Sequence, residues 1–328
     1  MTKYQVVGIG NAVVDVISRC DDAFLSRMGI EKGVMQLVEQ DRAEYLYENM
    51  ESRVHKAGGS VANSLAGLGA LGLSAAFIGR VHDDGPGRDY IRDMEQAGCA
   101  VINSPAAAGD LPTSRSMIFV SPDGERSMNT YLGISTELGP EDVDDAVAGQ
   151  AEILFLEGYL FDKDKGKAAF EAAAQACRAG GGKAGITLSD PFCVDRHRAD
   201  FRRLVKGLDY VIGNEHEWMS LYETDDLGAA LEQAAAESGL IVCTRSGEGV
   251  VIVENDEITT VPVTRVAPLD TTGAGDQFAA GFLFGLATGA PLDVAGRMGC
   301  IAAAEVIGHY GARPEADVKA RFEAEGLI

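Results

Sequence analysis

The segment Asp270-Thr271-Thr272-Gly273-Ala274-Gly275-Asp276-Gln277-Phe278 places a glycine-rich turn and a carboxylate at the head of an apolar stretch that runs to Leu286. Gly273 and Gly275 lack a Cβ, so this backbone can turn several N–H groups toward one point. A helix starting here adds unsatisfied first-turn amides and the positive end of its dipole, which together suit an anion such as phosphate. Asp276 is the odd member of the set. A carboxylate beside an anion site repels phosphate unless it has a task such as accepting a proton, and the competing reading is a plain helix N-cap.

Other residues could complete such a site. Asn11 and Asp15 lie four apart near the end of an apolar strand, and Gly58, Gly59 and Asn63 open a small-residue helix. Amide and carboxylate groups can engage vicinal hydroxyls, and paired glycines let a ring approach the backbone, so the set suits a polyol; singly, each is a turn or cap residue. Asn214 and Glu217 start another helix. They fit a capping box, and also a pair that orients the waters of a magnesium ion. Arg126 could reach phosphate oxygens, or be a solvated surface arginine. Two alternatives are weakened by spacing: Gly8-Ile9-Gly10-Asn11 has Val13 where a dinucleotide fingerprint needs its third glycine, and neither Lys167 nor Lys183 is followed by Ser or Thr as a Walker A loop requires.

Strands and helices must alternate to position these residues. Apolar runs at 5–9, 75–78, 153–156, 184–188, 210–212, 240–243 and 250–253 read as strands, and 60–71, 165–179, 198–206, 216–222 and 227–237 as helices. That order predicts an α/β fold with a mostly parallel sheet covered by helices, whose ligands sit beyond the carboxyl ends of the strands. Residues 13–20 with 34–38, and 114–120 with 127–131, read as antiparallel pairs joined by turns, the second through Ser121-Pro122-Asp123-Gly124. They form either a small lid that excludes water from the site or an ordinary edge hairpin.

The 328 residues carry a net charge of −22, which repels nucleic acid and anionic lipid and leaves small molecules as the expected partners. Six cysteines without C-x-x-C spacing suit reduced thiols, and the five histidines form no metal-ligand pattern. Met1-Thr2-Lys3-Tyr4 leads into a strand interrupted by Asn11 and Asp15, unlike a cleavable signal, so a cytoplasmic protein is expected. The long uncharged stretch 57–79 contains six glycines and reads as a buried helix and strand rather than a membrane span.

The chain resembles the ribokinase-like (PfkB-type) carbohydrate kinases along almost its whole length. Gly58-Gly59-Ser60-Val61-Ala62-Asn63-Ser64-Leu65-Ala66, with Gly79-Arg80-Val81, looks like the N-terminal signature of that family, and residues 270–276 look like its C-terminal signature D-T-x-G-A-G-D. Gly8-Ile9-Gly10-Asn11-Ala12-Val13-Val14-Asp15, Gly29-Ile30-Glu31-Lys32-Gly33, Leu188-Ser189-Asp190-Pro191-Phe192 and Asn214-Glu215-His216-Glu217 look most like adenosine kinases. The resemblance implies one kinase domain over residues 1–328, with a small antiparallel β lid from about 12–40 and 112–132, working as a monomer or homodimer. It implies ATP as donor, Mg2+ and possible K+ as cofactors, and Asp276 as the general base toward a primary hydroxyl, with the amides of Gly273, Ala274 and Gly275 stabilising charge. Asn11, Asp15, Gly58, Gly59 and Asn63 would bind substrate hydroxyls. Asn214, Thr244, Gly247 and Gly249 would line the ATP site, Glu217 would serve magnesium through water, and Asp270 with Thr272 would adjoin a monovalent cation. In the nucleotide segment Thr244-Arg245-Ser246-Gly247-Glu248-Gly249, Ser246 stands where the family has its first glycine. Met35, Leu37, Phe155 and Phe192 are candidates to hold a purine, with core packing as the other reading. The acceptor expected on this resemblance is the 5′-hydroxyl of adenosine. A sugar such as ribose, fructose or a keto-deoxy sugar acid is the alternative, and a non-catalytic nucleoside or sugar sensor a remote one.

Overall fold

The computed structural model describes residues 4–107 and 111–328, so Met1–Lys3 of the N-terminal reading fall outside it. Among these residues two sheets form. The larger runs in the order Glu257–Val261, Val250–Glu254, Leu240–Thr244, Tyr210–Asn214, Lys183–Thr187, Ile153–Glu157, Val6–Ile9, Ala75–Ile78 and Cys99–Val101. It is parallel except at its first two pairings, which are antiparallel. Helices cover both faces, and this explains why strands such as Ile153–Glu157 are apolar throughout instead of alternating. Side chains on successive residues point to opposite faces, so Val6, Phe77 and Phe155 join one core with Phe278 and Phe282, while Val7, Ile78 and Leu154 join another with Phe170 and Trp218.

The smaller sheet runs Met35–Leu37, Arg126–Tyr131, Ser114–Val120, Val13–Arg19, Val54–Gly58. The hairpin through Ser121 to Gly124 is present and antiparallel. The other expected pair is not. Val13–Arg19 lies parallel to Ser114–Val120 and antiparallel to Val54–Gly58, while Met35–Leu37 pairs in parallel with Arg126–Tyr131. Between the two stretches expected to form a hairpin stands the helix Asp22–Met28, capped by Asp21 and closed by Gly29 in the left-handed region at φ 64°. Alternating polarity marks both stretches as strands but does not encode which partner each takes. The strand Val54–Gly58 is not legible in sequence because its polar His55-Lys56 and terminal glycine read as a loop.

Val6–Ile9 of the large sheet and Val13–Arg19 of the small one are joined only by Gly10-Asn11-Ala12, which places Asn11 at the seam between the sheets. Across the same seam the helix Ser60–Ala70 begins directly after Val54–Gly58. The helix Ala274–Ala287 packs on Leu292–Val306 through small residues: a Cβ on Gly281 would come within 2.4 Å of the Met298 carbonyl, and one on Gly299 within 2.6 Å of the Phe278 ring. No described helix is long and apolar enough to cross a membrane.

This close approach sets the position of the Ala274–Ala287 helix. Gly281→Val is therefore expected to cost roughly 1–3 kcal/mol by overpacking, read as a lower melting temperature in calorimetry. An unchanged value would show that the two helices part freely.

Candidate active site

At the head of the Ala274–Ala287 helix, Gly273 occupies the N-cap position with φ 78°, and a Cβ there would sit 2.5 Å from the Ala312 Cα. Glycine is thus required by the turn. A Cβ on Gly275, by contrast, meets nothing within 4 Å, so the first turn of the helix opens onto free space. Asp276 lies in that turn. Its Oδ1 accepts from the Ser60 hydroxyl at 2.7 Å, and its Oδ2 accepts from the Asn63 amide Nδ2 at 3.0 Å. Burial pushes this carboxyl up to about 6, against the opposing pull of Asn63, Ser60 and the charge of Arg313. The N-cap reading of Asp276 is thereby removed, since the cap is Gly273 and the carboxylate reaches across to another helix.

The polyol candidates gather on the opposite side of Asp276. Gly59 has φ 98°, and a Cβ would stand 2.3 Å from the Asn11 carbonyl; on Gly58 it would stand 2.6 Å from Asp15 Oδ2. Both glycines are thus needed for the backbone to pass Asn11 and Asp15. Asp15 accepts no hydrogen bond among the described residues, and burial pushes its carboxyl up to about 6 despite the charges of Arg126 and Arg313. Asn11 is buried, with its N–H and Nδ2 both donating to Glu157 Oε1 at 3.1 and 2.9 Å. Asn63 turns its amide to Asp276 and its Oδ1 to Arg313 Nε at 3.4 Å, so its polar atoms serve the protein's own network.

Glu157 is the main residue that the sequence did not reveal. Its second oxygen accepts from the Val61 N–H at 3.0 Å, so one buried carboxyl, pushed up to about 7 by burial, joins Asn11 to the first turn of the Ser60–Ala70 helix. A Cβ on Gly10 would meet it at 2.5 Å. The available signal was an acidic residue closing the otherwise apolar run Ile153-Leu154-Phe155-Leu156.

Asp270 is buried and saturated. Oδ1 accepts from the Thr272 N–H and hydroxyl at 3.0 and 2.6 Å, and Oδ2 from Arg126 Nη1 at 2.6 Å and the Gly311 N–H at 3.0 Å. Arg126 thus ties the small sheet to the turn before the helix. The monovalent cation expected beside Asp270 and Thr272 does not fit this donor set, because a guanidinium already neutralises the carboxylate.

Farther along the strand ends, Asn214 and Thr244 are register partners on adjacent parallel strands. Asn214 and Glu217 form a capping box: Asn214 Oδ1 accepts from the Glu217 N–H at 3.0 Å, and Glu217 accepts from the Asn214 N–H and Nδ2 at 2.8 and 2.7 Å. Burial pushes the Glu217 carboxyl up to about 8. Ser246 adopts φ 48°, the left-handed conformation that glycine reaches without cost, so serine keeps the backbone of this turn while bearing some strain. Gly249, at φ 88°, leaves room for the Val261 carbonyl that a Cβ would meet at 2.2 Å. The purine candidates do not converge. Phe155 is fully buried in the sheet core and Phe192 is 78% exposed, while Met35 and Leu37 are exposed on the edge strand of the small sheet.

Residues 34–319 match the family described as pfkB family carbohydrate kinase. The solved adenosine kinase from Sinorhizobium meliloti is 45% identical, covering 99% of this chain and 100% of that one with a TM-score of 0.91. A probable sugar kinase from Rhizobium etli CFN 42 is 43% identical over 100% of both chains, with a TM-score of 0.92. The ATP-dependent ribose-1-phosphate kinase of Halopiger xanaduensis is 30% identical over 84% of this chain and 90% of its own length.

Holding Asp276 out of water has a measurable cost. Its folded value of about 6 exceeds the ordinary 3.8, so the buried ionised form destabilises the fold increasingly as pH rises from about 4 through 6. The melting temperature of Asp276→Asn relative to wild type is expected to climb over that window and level off above it. A difference that stays flat with pH would mean Asp276 is not desolvated.

Proposed function

Since the chain belongs to the pfkB family of carbohydrate kinases and so transfers a phosphoryl group to an alcohol, we propose that it is an ATP-dependent kinase acting on the 5′-hydroxyl of adenosine. The observation that carries this reading is the Asp276 carboxylate in the first turn of the Ala274–Ala287 helix, hydrogen-bonded across the seam to Ser60 and Asn63 beside open space at Gly275. The likeness of the whole chain to the Sinorhizobium meliloti adenosine kinase supports the choice of acceptor.

In this reading Asp276 takes the proton from the primary hydroxyl as that oxygen attacks the γ-phosphorus of ATP and the bond to the β-γ bridging oxygen breaks. The developing charge falls on the amides of Gly273, Gly275 and Asp276 at the helix turn and on that of Ala274, which also donates to the Thr271 carbonyl at 3.2 Å. Asp15, with no hydrogen-bond partner among the described residues, accepts from the ribose hydroxyls, and Asn11 and Gly59 shape their approach. The ends of the strands at Asn214 and Thr244, with the Gly247–Gly249 turn, hold the nucleotide. Among the described residues no cluster of three His, Cys, Asp or Glu side chains could cage a metal. A magnesium ion would therefore rest on phosphate oxygens and water, with Glu217 and Asn214 in its outer shell; when bound it neutralises phosphate charge.

A sugar acceptor is the second reading. The 43% identity to a probable sugar kinase over the whole of both chains supports it.

Phosphoryl transfer from ATP-magnesium to adenosine, compared with ribose, fructose and a keto-deoxy sugar acid, separates the two readings. Adenosine is expected to give the highest kcat/KM, with an acid limb near pH 6 set by Asp276 and a loss of at least ~100-fold in Asp276→Asn. A sugar as the best acceptor would replace the first reading by the second, and undiminished turnover in Asp276→Asn would overturn both.

A further inference from the structure

Arg313 belongs to no motif that suggests a role, yet it reaches the centre of the site. It lies in the segment that follows the Leu292–Val306 helix, and this segment is laced to the machinery on either side of it. The Gly311 N–H donates to Asp270, the Ala312 carbonyl accepts from Gln277 Nε2 at 2.9 Å, and the buried Glu305 carboxylate accepts from the Glu315 and Ala316 N–H groups at 3.2 and 2.8 Å. Pro314 adds stiffness by biasing Arg313 toward extended backbone. So held, Arg313 directs Nε to Asn63 Oδ1 at 3.4 Å and Nη2 to the Met94 sulfur at 3.2 Å.

An asparagine side chain has one accepting and one donating end. With a guanidinium on one side and a carboxylate on the other, Asn63 has a single favourable orientation: oxygen toward Arg313, NH2 toward Asp276. The reverse would set oxygen against carboxylate and NH2 against guanidinium. We propose that Arg313 is a positioning residue for the phosphoryl transfer, orienting the Asn63 amide so that it donates to Asp276 and keeps that carboxylate ionised and aimed at the acceptor hydroxyl.

The electrostatics agree with this geometry. Asp15, Glu157 and Tyr159 all lie within the influence of the Asp276 charge, while Arg313 is the cation opposing its protonation among the described residues. Ser60 supplies the other donor. Removing Arg313 subtracts both a charge and the orientation of Asn63.

The catalytic half of this inference rests on the proposed function, whereas the effect on Asp276 does not. Asp276 is to be titrated in the free, full-length protein by NMR with carboxyl-13C aspartate, its resonance assigned by its loss in Asp276→Asn. In Arg313→Ala the midpoint is expected to rise by about one pH unit, with Arg313→Lys restoring most of the shift. The acid limb of kcat/KM for the best acceptor in the panel should move upward with it. At pH 7, kcat should fall by roughly 10-fold or more. Arg313→Ala and Asn63→Ala should also combine to less than the product of their separate effects, because part of the Arg313 effect passes through the Asn63 amide. An unmoved midpoint in a folded Arg313→Ala protein, or independent multiplication of the two effects, overturns the inference. If Asp276→Asn retains turnover, the proposed function falls and takes the catalytic half with it, while the titration still reports on Arg313.

Discussion

A carboxyl group drawn partly out of water but still ionisable is the constraint on which the site depends. Burial alone would protonate Asp276 at neutral pH and deny the proposed base its charge. Donors alone would make it an ordinary aspartate, too weak a base to assist an alcohol. The protein sets the two against each other: the apolar helix Ala274–Ala287 carries the carboxyl into the seam, and Ser60 and Asn63 meet it with one hydrogen bond to each oxygen. Because both donors sit in the first turn of the Ser60–Ala70 helix, the position of that helix matters as much as that of Asp276. Glu157 holds its Val61 N–H and, with its other oxygen, Asn11. One buried acid therefore fixes the distance between Asn11 and the helix turn that meets Asp276.

The two sheets are bound together by a second buried charge. Arg126 comes from the small sheet and Asp270 from the turn before the Ala274–Ala287 helix, and their contact is nearly closed to solvent, with 11% and 6% of the side chains exposed. Such a pair adds little net stability over an apolar contact of the same size. Its value lies in register, because it holds the small sheet against the turn that leads to Gly273. The same carboxylate takes the Gly311 N–H, so the segment carrying Arg313 is tied to that turn as well.

What could be read from sequence was whatever is local. The glycine-rich turn ending in Asp276 is marked by residue type, the capping box of Asn214 and Glu217 by spacing, and the large parallel sheet by the alternation of apolar runs with helical ones. Long-range partners were hidden. Polarity marks 13–20 and 34–38 as strands, but nothing in it says that each would pair elsewhere. By sequence Asn63 suits a hydroxyl ligand, as an amide at a helix start beside two glycines; only the fold brings Asp276 and Arg313 to its two ends. Glu157 looks like a strand terminator, and Arg126 like a surface cation, until burial gives each a specific partner.

A structure of the protein with its acceptor and a non-hydrolysable ATP analogue tests the central claim most directly. The account predicts an Asp276 oxygen within hydrogen-bond reach of the acceptor hydroxyl, about 2.6–3.2 Å, with that hydroxyl in line with the γ-phosphorus and the amides of Gly273–Asp276 turned to the phosphoryl oxygens. An acceptor hydroxyl directed to some other group, with Asp276 still engaged only by Ser60 and Asn63, would contradict it.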